Sequence, residues 1–158
     1  MTESSSATIE NLRKLIGTRL EPTVFRVEEG AIQRYAEAIG DRNPLYNDAD
    51  YARKSKHGRL MCPPGFTGWP VKGGRITEGP VELLVKSGAP SRLLDGGVEF
   101  EFFEPIGAGD ILVASTTISD ITEKQTRLGR TIFATIEITY VNQNGNLALE
   151  AKHTFIMF

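Results

Sequence analysis

The sequence predicts an α+β domain, with helices in its first half and a meander of long antiparallel strands in its second. Three observations predict it. Ala31, Ile32, Tyr35, Ala36 and Ile39 recur at three- and four-residue spacing, the period of a helix with one buried face. Ile132, Ala134, Ile136, Ile138 and Tyr140 instead alternate with Phe133, Thr135, Glu137 and Thr139, the period of a strand. The polar loop Asn142-Gln143-Asn144-Gly145-Asn146 then joins this run to a second alternating one, as in a hairpin.

Taken in order, residues 1–8 are polar and expected to fray, and one domain is expected over 9–158. A short helix over 9–15 turns Leu12, Leu15 and Ile16 inward, and Gly17 breaks it. Residues 23–27 alternate as a strand. A helix follows over 28–39, with Glu28 and Glu29 at its positive end and Gly40 as C-terminal cap. Asp48 suits the N-cap of a second short helix containing Tyr51 and Ala52. Residues 54–58 read as a polar loop. A helix can begin near Pro64, since proline is tolerated in a first turn; Pro70 and Gly73-Gly74 stop its continuation. Residues 80–86 fit helix or strand, with Val81, Leu84 and Val85 on one face of a helix. Val98, Phe100 and Phe102 alternate with Glu99, Glu101 and Phe103 as a strand. Residues 105–110 turn, 111–118 form another strand, and 147–157 form the last.

The 158 residues suffice for one domain with a sizeable core. The net charge of −2 gives no electrostatic case for nucleic acid or an anionic membrane. No apolar run approaches the ~20 residues of a membrane span. The first residues lack the basic and apolar regions of a signal peptide, so the cytoplasm is the expected compartment. The single cysteine, Cys62, excludes an internal disulfide and a cysteine-rich metal site; it reads as a small buried hydrophobe. No His, Cys or carboxylate spacing suits a metal. Lys72-Gly73-Gly74-Arg75 lacks the context and spacing of a phosphate loop. Lys54, Lys56 and Arg59 read as a solvated face that can also meet coenzyme A phosphates. His153, on the apolar stripe of the last strand, reads as a satisfied core or interface residue.

The richest stretch is Gly40-Asp41-Arg42-Asn43-Pro44-Leu45-Tyr46, where a helix ends in turn chemistry and holds a carboxylate at its end. It resembles the Gly-Asp-x-Asn-Pro-Leu-His signature of the MaoC-like (R)-specific enoyl-thioester hydratases and dehydratases. Cys62-Pro63-Pro64-Gly65-Phe66 is similar to the Ala-Pro-Pro-Thr-Phe of the fatty-acid-synthase-type branch. Leu93-Leu94-Asp95-Gly96-Gly97 and Pro105-Ile106-Gly107-Ala108-Gly109-Asp110 resemble that branch's strand entry and Pro-x-x-Ala-Gly-Asp turn. The resemblance covers about residues 15–158.

It implies a hotdog fold, a curved antiparallel sheet wrapped around a central helix, paired with a second hotdog as a homodimer or heterodimer. It implies hydration or dehydration of acyl thioesters of coenzyme A or acyl carrier protein, without a cofactor. In the family an Asp and a His activate a water. Asp41 matches the first; Tyr46 stands in place of the second, so a non-catalytic subunit of a heterodimer or a thioester-binding protein is the alternative. Asp41 and Tyr46 are the catalytic candidates. Asp41 can equally serve only the turn, and Tyr46 only packing. Substrate-binding candidates are Asn43, Pro64, Gly65, Phe66 and His57. The family's carbonyl donor, a backbone N–H, falls at Pro63-Pro64, which have none, so the Gly65 or Phe66 amide is expected to serve. His57 is the alternative to the missing histidine.

Overall fold

The computed structural model describes residues 9–68 and 75–158. Five strands, β1 (Thr23–Arg26), β2 (Leu93–Phe102), β3 (Ile111–Thr126), β4 (Gly129–Asn142) and β5 (Leu147–Met157), form one sheet. Their order is β1-β3-β4-β5-β2 and every pairing is antiparallel. The helices are α1 (9–13), α2 (Glu29–Ala38), α3 (Pro44–Asn47), α4 (Ala49–Lys54) and α5 (Arg75–Lys86). The fraying expected over 1–8, the break at Pro70 and the Lys72-Gly73-Gly74 stretch lie outside the described residues.

Alternation places the core. Ile132, Ala134, Ile136, Ile138 and Tyr140 of β4 are all buried, as are Leu149, Ala151, Phe155 and Met157 of β5. They meet Leu12, Phe25, Ile32 and Leu84 in a single cluster. Leu84 brings α5 into it, and α5 lies against β3. This is the hotdog arrangement: one sheet with a helix packed on its inner face.

Three expectations change. The strand expected to end at Ile118 runs on to Thr126. A bulge between Ile118 and Asp120 absorbs the break in alternation, and Ile121 returns to the core. No α-helix starts at Pro64. Gly65 takes a φ of 87°, a left-handed value outside the α region, and a 3-10 turn, Phe66–Gly68, follows it. The helix that packs on the sheet is α5, which settles residues 80–86 as helical. Its inward face carries Pro80 and Leu84, whereas Val85 is exposed.

β2 is a strand as expected, but it stands at the sheet edge. Leu93, Leu94, Val98 and Phe102 are exposed, and Phe100 alone among its residues is half-buried. His153 is buried; its Nε2–H donates to Asp95 Oδ1 across the β2–β5 pairing (3.0 Å), and its ring stacks on Phe155.

Candidate active site

The turn after α2 is built by its own sequence. Gly40, at φ 70°, closes the helix. Its N–H donates to Glu37 O and the Asp41 N–H to Ala36 O, the paired bonds of a Schellman cap. Asp41 Oδ1 then accepts the Asn43 N–H (2.9 Å). Asn43 caps α3, accepting from the Leu45 N–H (3.0 Å). Asn47 Nδ2 donates to the carbonyls of Asp41 and Asn43 (2.8 and 2.9 Å). Asp48 caps α4 through the Asp50 and Tyr51 amides. These side chains answer the amides that the short helices leave open, so the motif is held rigidly.

A cleft of about 400 Å³ opens beside this turn. Tyr46, His57, Cys62, Pro64, Thr67 and Glu104 are among its walls. Main-chain bonds seat one wall on another: Met61 N–H donates to Leu45 O and Cys62 N–H to Ile106 O (both 2.9 Å). Apolar lining comes from Phe102, Phe103 and Ile106, which suits an acyl chain. Burial raises the pKa of Tyr46, and the neighbouring Asp41 carboxylate adds to this; a hydrogen bond from the Asn43 side chain only partly opposes them. Tyr46 therefore keeps its proton at neutral pH. Burial pushes the Cys62 thiol up to about 12, with the Asp110 charge adding to the effect. Cys62 is thus inert at neutral pH, a half-buried group packed against the core.

The structure brings Tyr46, His57 and Pro64 together in this cleft. Asp41 is near enough to act on Tyr46, but it lines a separate depression with Gln33, Glu37, Arg42 and Asn47. Asn43 Oδ1 is committed to the Leu45 amide (3.0 Å). Phe66 is a core residue, 3% exposed, set edge-on against Tyr35. Its amide is spent on Pro63 O (3.1 Å). Gly65 fits where little else would: a Cβ there would lie 2.8 Å from the Tyr35 hydroxyl.

Arg59 corrects an expectation. It is no solvated cation. Its guanidinium forks onto Asp110 (2.7 and 2.8 Å) and donates to Ala108 O. Asp110 also accepts from the Gly107 N–H and Gln143 Nε2. This clamp fixes the 105–110 turn against the 59–62 wall of the cleft. The two residues are 51 apart in the chain, so spacing carries no signal of it. Thr67 and Glu104 stand in no recognisable motif either. Glu104 accepts from Asn142 and Asn146 (2.7 and 2.9 Å). Among the described residues no group of three His, Cys, Asp or Glu side chains is placed to hold a metal. No described helix is long and apolar enough to cross a membrane.

Residues 14–151 match the family model described as FAS1-like, dehydratase domain region. This chain belongs to that dehydratase family. Its MaoC-like hotdog fold agrees with the sequence resemblance. A UPF0336 protein of Streptomyces coelicolor is 33% identical over 113 residues, covering 69% of this chain and 72% of the relative. A probable enoyl-CoA hydratase alpha subunit of Thermomonospora curvata is 27% identical over 138 residues, covering 80% of this chain and 43% of the relative. The HadBC (3R-hydroxyacyl-ACP dehydratase) complex of Mycobacterium tuberculosis contains a chain that superposes with a TM-score of 0.69 at 22% identity, covering 90% of this dehydratase-family chain and 96% of that one. This last likeness is one of fold.

Proposed function

We propose that this chain hydrates trans-2-enoyl thioesters, or dehydrates (R)-3-hydroxyacyl thioesters, carried on coenzyme A or acyl carrier protein in the cytoplasm. The observation that carries the reading is the apolar-walled cleft lined by Tyr46 beside the turn that holds Asp41. In the hydration direction Asp41 accepts a proton from water as the water oxygen bonds to the β-carbon. The α-carbon of the resulting enolate takes that proton back, so the carboxylate is restored and no co-reactant is consumed. Tyr46 remains a phenol and donates to the water. His57 and Pro64 contact the substrate from the cleft wall, and the amide of Gly65, next in the chain to Pro64, is the backbone donor.

The test is hydration of crotonyl-coenzyme A, followed by loss of the conjugated-enoyl absorbance. Asp41→Asn keeps an oxygen for the Asn43 amide, so the melting temperature should barely move. Hydration should fall by about 10²-fold or more. Undiminished turnover would remove Asp41 from the mechanism.

A second reading rests on two observations. Asp41 lines its own depression, and β2 exposes an apolar edge. A second hotdog that pairs with β2 would continue the sheet and bury that edge. In this reading the chain binds acyl thioester as the non-catalytic subunit of a heterodimer, and the alpha-subunit name of one relative fits it. No turnover by the chain alone, with a second hotdog co-purifying, would favour it; turnover by the isolated chain would exclude it.

A further inference from the structure

The cleft wall has a polar part, with Tyr46 and His57, and an apolar part, with Phe102 and Phe103. The two phenylalanines are neighbours in the chain and remain 49% and 47% exposed. Large apolar side chains left side by side in water mark a place that a ligand or partner covers. The other apolar side chains of the wall have little surface to offer: Ile106 and Met61 are only 4% and 7% exposed.

Both rings stand on fixed supports. Phe102 ends β2, and its ring lies 6.0 Å from that of Phe100, which is half-buried and packed against the core. The Phe103 N–H donates to Ala148 O (3.0 Å). A strand that pairs with β2 does so through backbone groups at its edge, whereas side chains stand on the two faces. Such pairing does not by itself cover these rings. They therefore offer a ligand apolar area that needs little ordering on binding.

The size of the cleft limits what they receive. Its volume is about 400 Å³. An apolar cavity of about 150 Å³ takes one benzene, or about 25 Å³ per carbon. On that scale the cleft takes about 16 non-hydrogen atoms, and a thioester with the start of its pantetheine arm uses about half of them. We propose that Phe102 and Phe103 are specificity-determining residues that receive an apolar acyl chain of short to medium length, up to about eight carbons on the same scale. This rests on the acyl-thioester reading above, in either of its two forms. The reacting carbons lie toward Tyr46 and the methyl end over the two rings.

The test is calorimetric binding of saturated acyl-coenzyme A thioesters, which hydration cannot consume, to the full chain and to F102A and F103A. Affinity of the wild type should rise by about 10²-fold from butanoyl- to octanoyl-coenzyme A, at up to about 4-fold per methylene. It should then stay within about 4-fold from octanoyl to dodecanoyl, because the added methylenes lie in water. F102A and F103A should each lose about 10-fold for octanoyl and little for butanoyl, since only the longer chain covers the rings. Both variants should melt near the wild type, because the side chains removed are half-exposed. Equal affinity of the wild type for butanoyl and octanoyl would overturn this inference alone. Affinity that keeps climbing to dodecanoyl would overturn the length limit. Variants that melt lower yet keep the octanoyl affinity would assign the rings to packing. A wild-type chain that binds none of the thioesters would overturn both this inference and the reading beneath it. Chain-length selection without crotonyl-coenzyme A hydration would support the inference and leave the chain as a binding subunit.

Discussion

Tyr46 stands where the resembling family has histidine, and its hydroxyl is held above the ordinary phenol range near ~10 by burial and by Asp41. A group that keeps its proton cannot serve as base at neutral pH. Tyr46→His should therefore raise crotonyl-coenzyme A hydration by about an order of magnitude or more; no gain would mean that the surrounding geometry does not support a His–Asp pair. Asp110 is tuned in the opposite sense. Burial alone would raise its pKa, but Arg59, the Gly107 N–H and Gln143 together hold it below its ordinary value. Its folded pKa is thus depressed. It contributes stability above the unfolded value of ~3.9, and that stability is lost as pH falls through the lower folded value. Arg59→Met leaves the buried carboxylate without its ion partner. The cost at pH 7 should be about 3 kcal/mol, the low end for a buried pair, because the Arg59 side chain is 36% exposed and partly screened by water. The deficit should shrink in acid as Asp110 protonates. Urea unfolding of both proteins at about pH 7 and about pH 3, on either side of the ordinary carboxylate range, measures this. A deficit independent of pH would contradict the ion-pair account.

At the level of elements, three stretches of chain wall the cleft: 45–46, 57–67 and 102–106. The 40–48 turn is self-capped, whereas the 59–67 segment is positioned by what it touches. Gly65 shows the dependence. Its φ is positive, and a Cβ placed on it would come within 2.8 Å of the Tyr35 hydroxyl. Gly65→Ala should destabilise by roughly 1–3 kcal/mol. Gly65→Ala with Tyr35→Phe should recover part of that, measured by thermal melting. Among the described side chains of the sheet-facing helix α5, Leu84 is a deep anchor with no exposed surface. Leu84→Ala should cost about 2–5 kcal/mol through lost burial and the cavity it leaves, read as a shift in the urea midpoint.

Across the molecule, the sheet is asymmetric. β4 and β5 are covered on their inner face, while β2 carries Leu93, Leu94, Val98 and Phe102 in the open. Long apolar edges pair with other strands. The chain should sediment as a dimer, or as a heterodimer with a second hotdog. Val98→Lys should shift it toward monomer while leaving the secondary structure unchanged by circular dichroism. A wild-type chain that stays monomeric at high concentration and captures no partner would refute the pairing.

Elements whose physics is local were legible before any fold was in hand. The three- and four-residue spacing of α2, the period-two strands β4 and β5, the 142–146 hairpin and the Gly40, Asn43 and Asp48 caps each depend on neighbours a few residues away. The remainder required the packed chain. That 80–86 is helix follows from Leu84 joining the core cluster while α5 lies against β3. That β3 continues past Ile118 follows from pairing with β4, across a bulge that local alternation cannot foresee. That Arg59 is a clamp and that the Thr67 carbonyl is tied to Tyr140 depends on contacts across 51 and 73 residues. The resemblance made Tyr46 and Pro64 site candidates and His57 an alternative to the missing histidine; the folded chain puts all three on the wall of one cleft. Only the folded chain set Asp41 in a neighbouring depression and put Phe66 into the core, because side-chain burial depends on what packs from the other end of the chain.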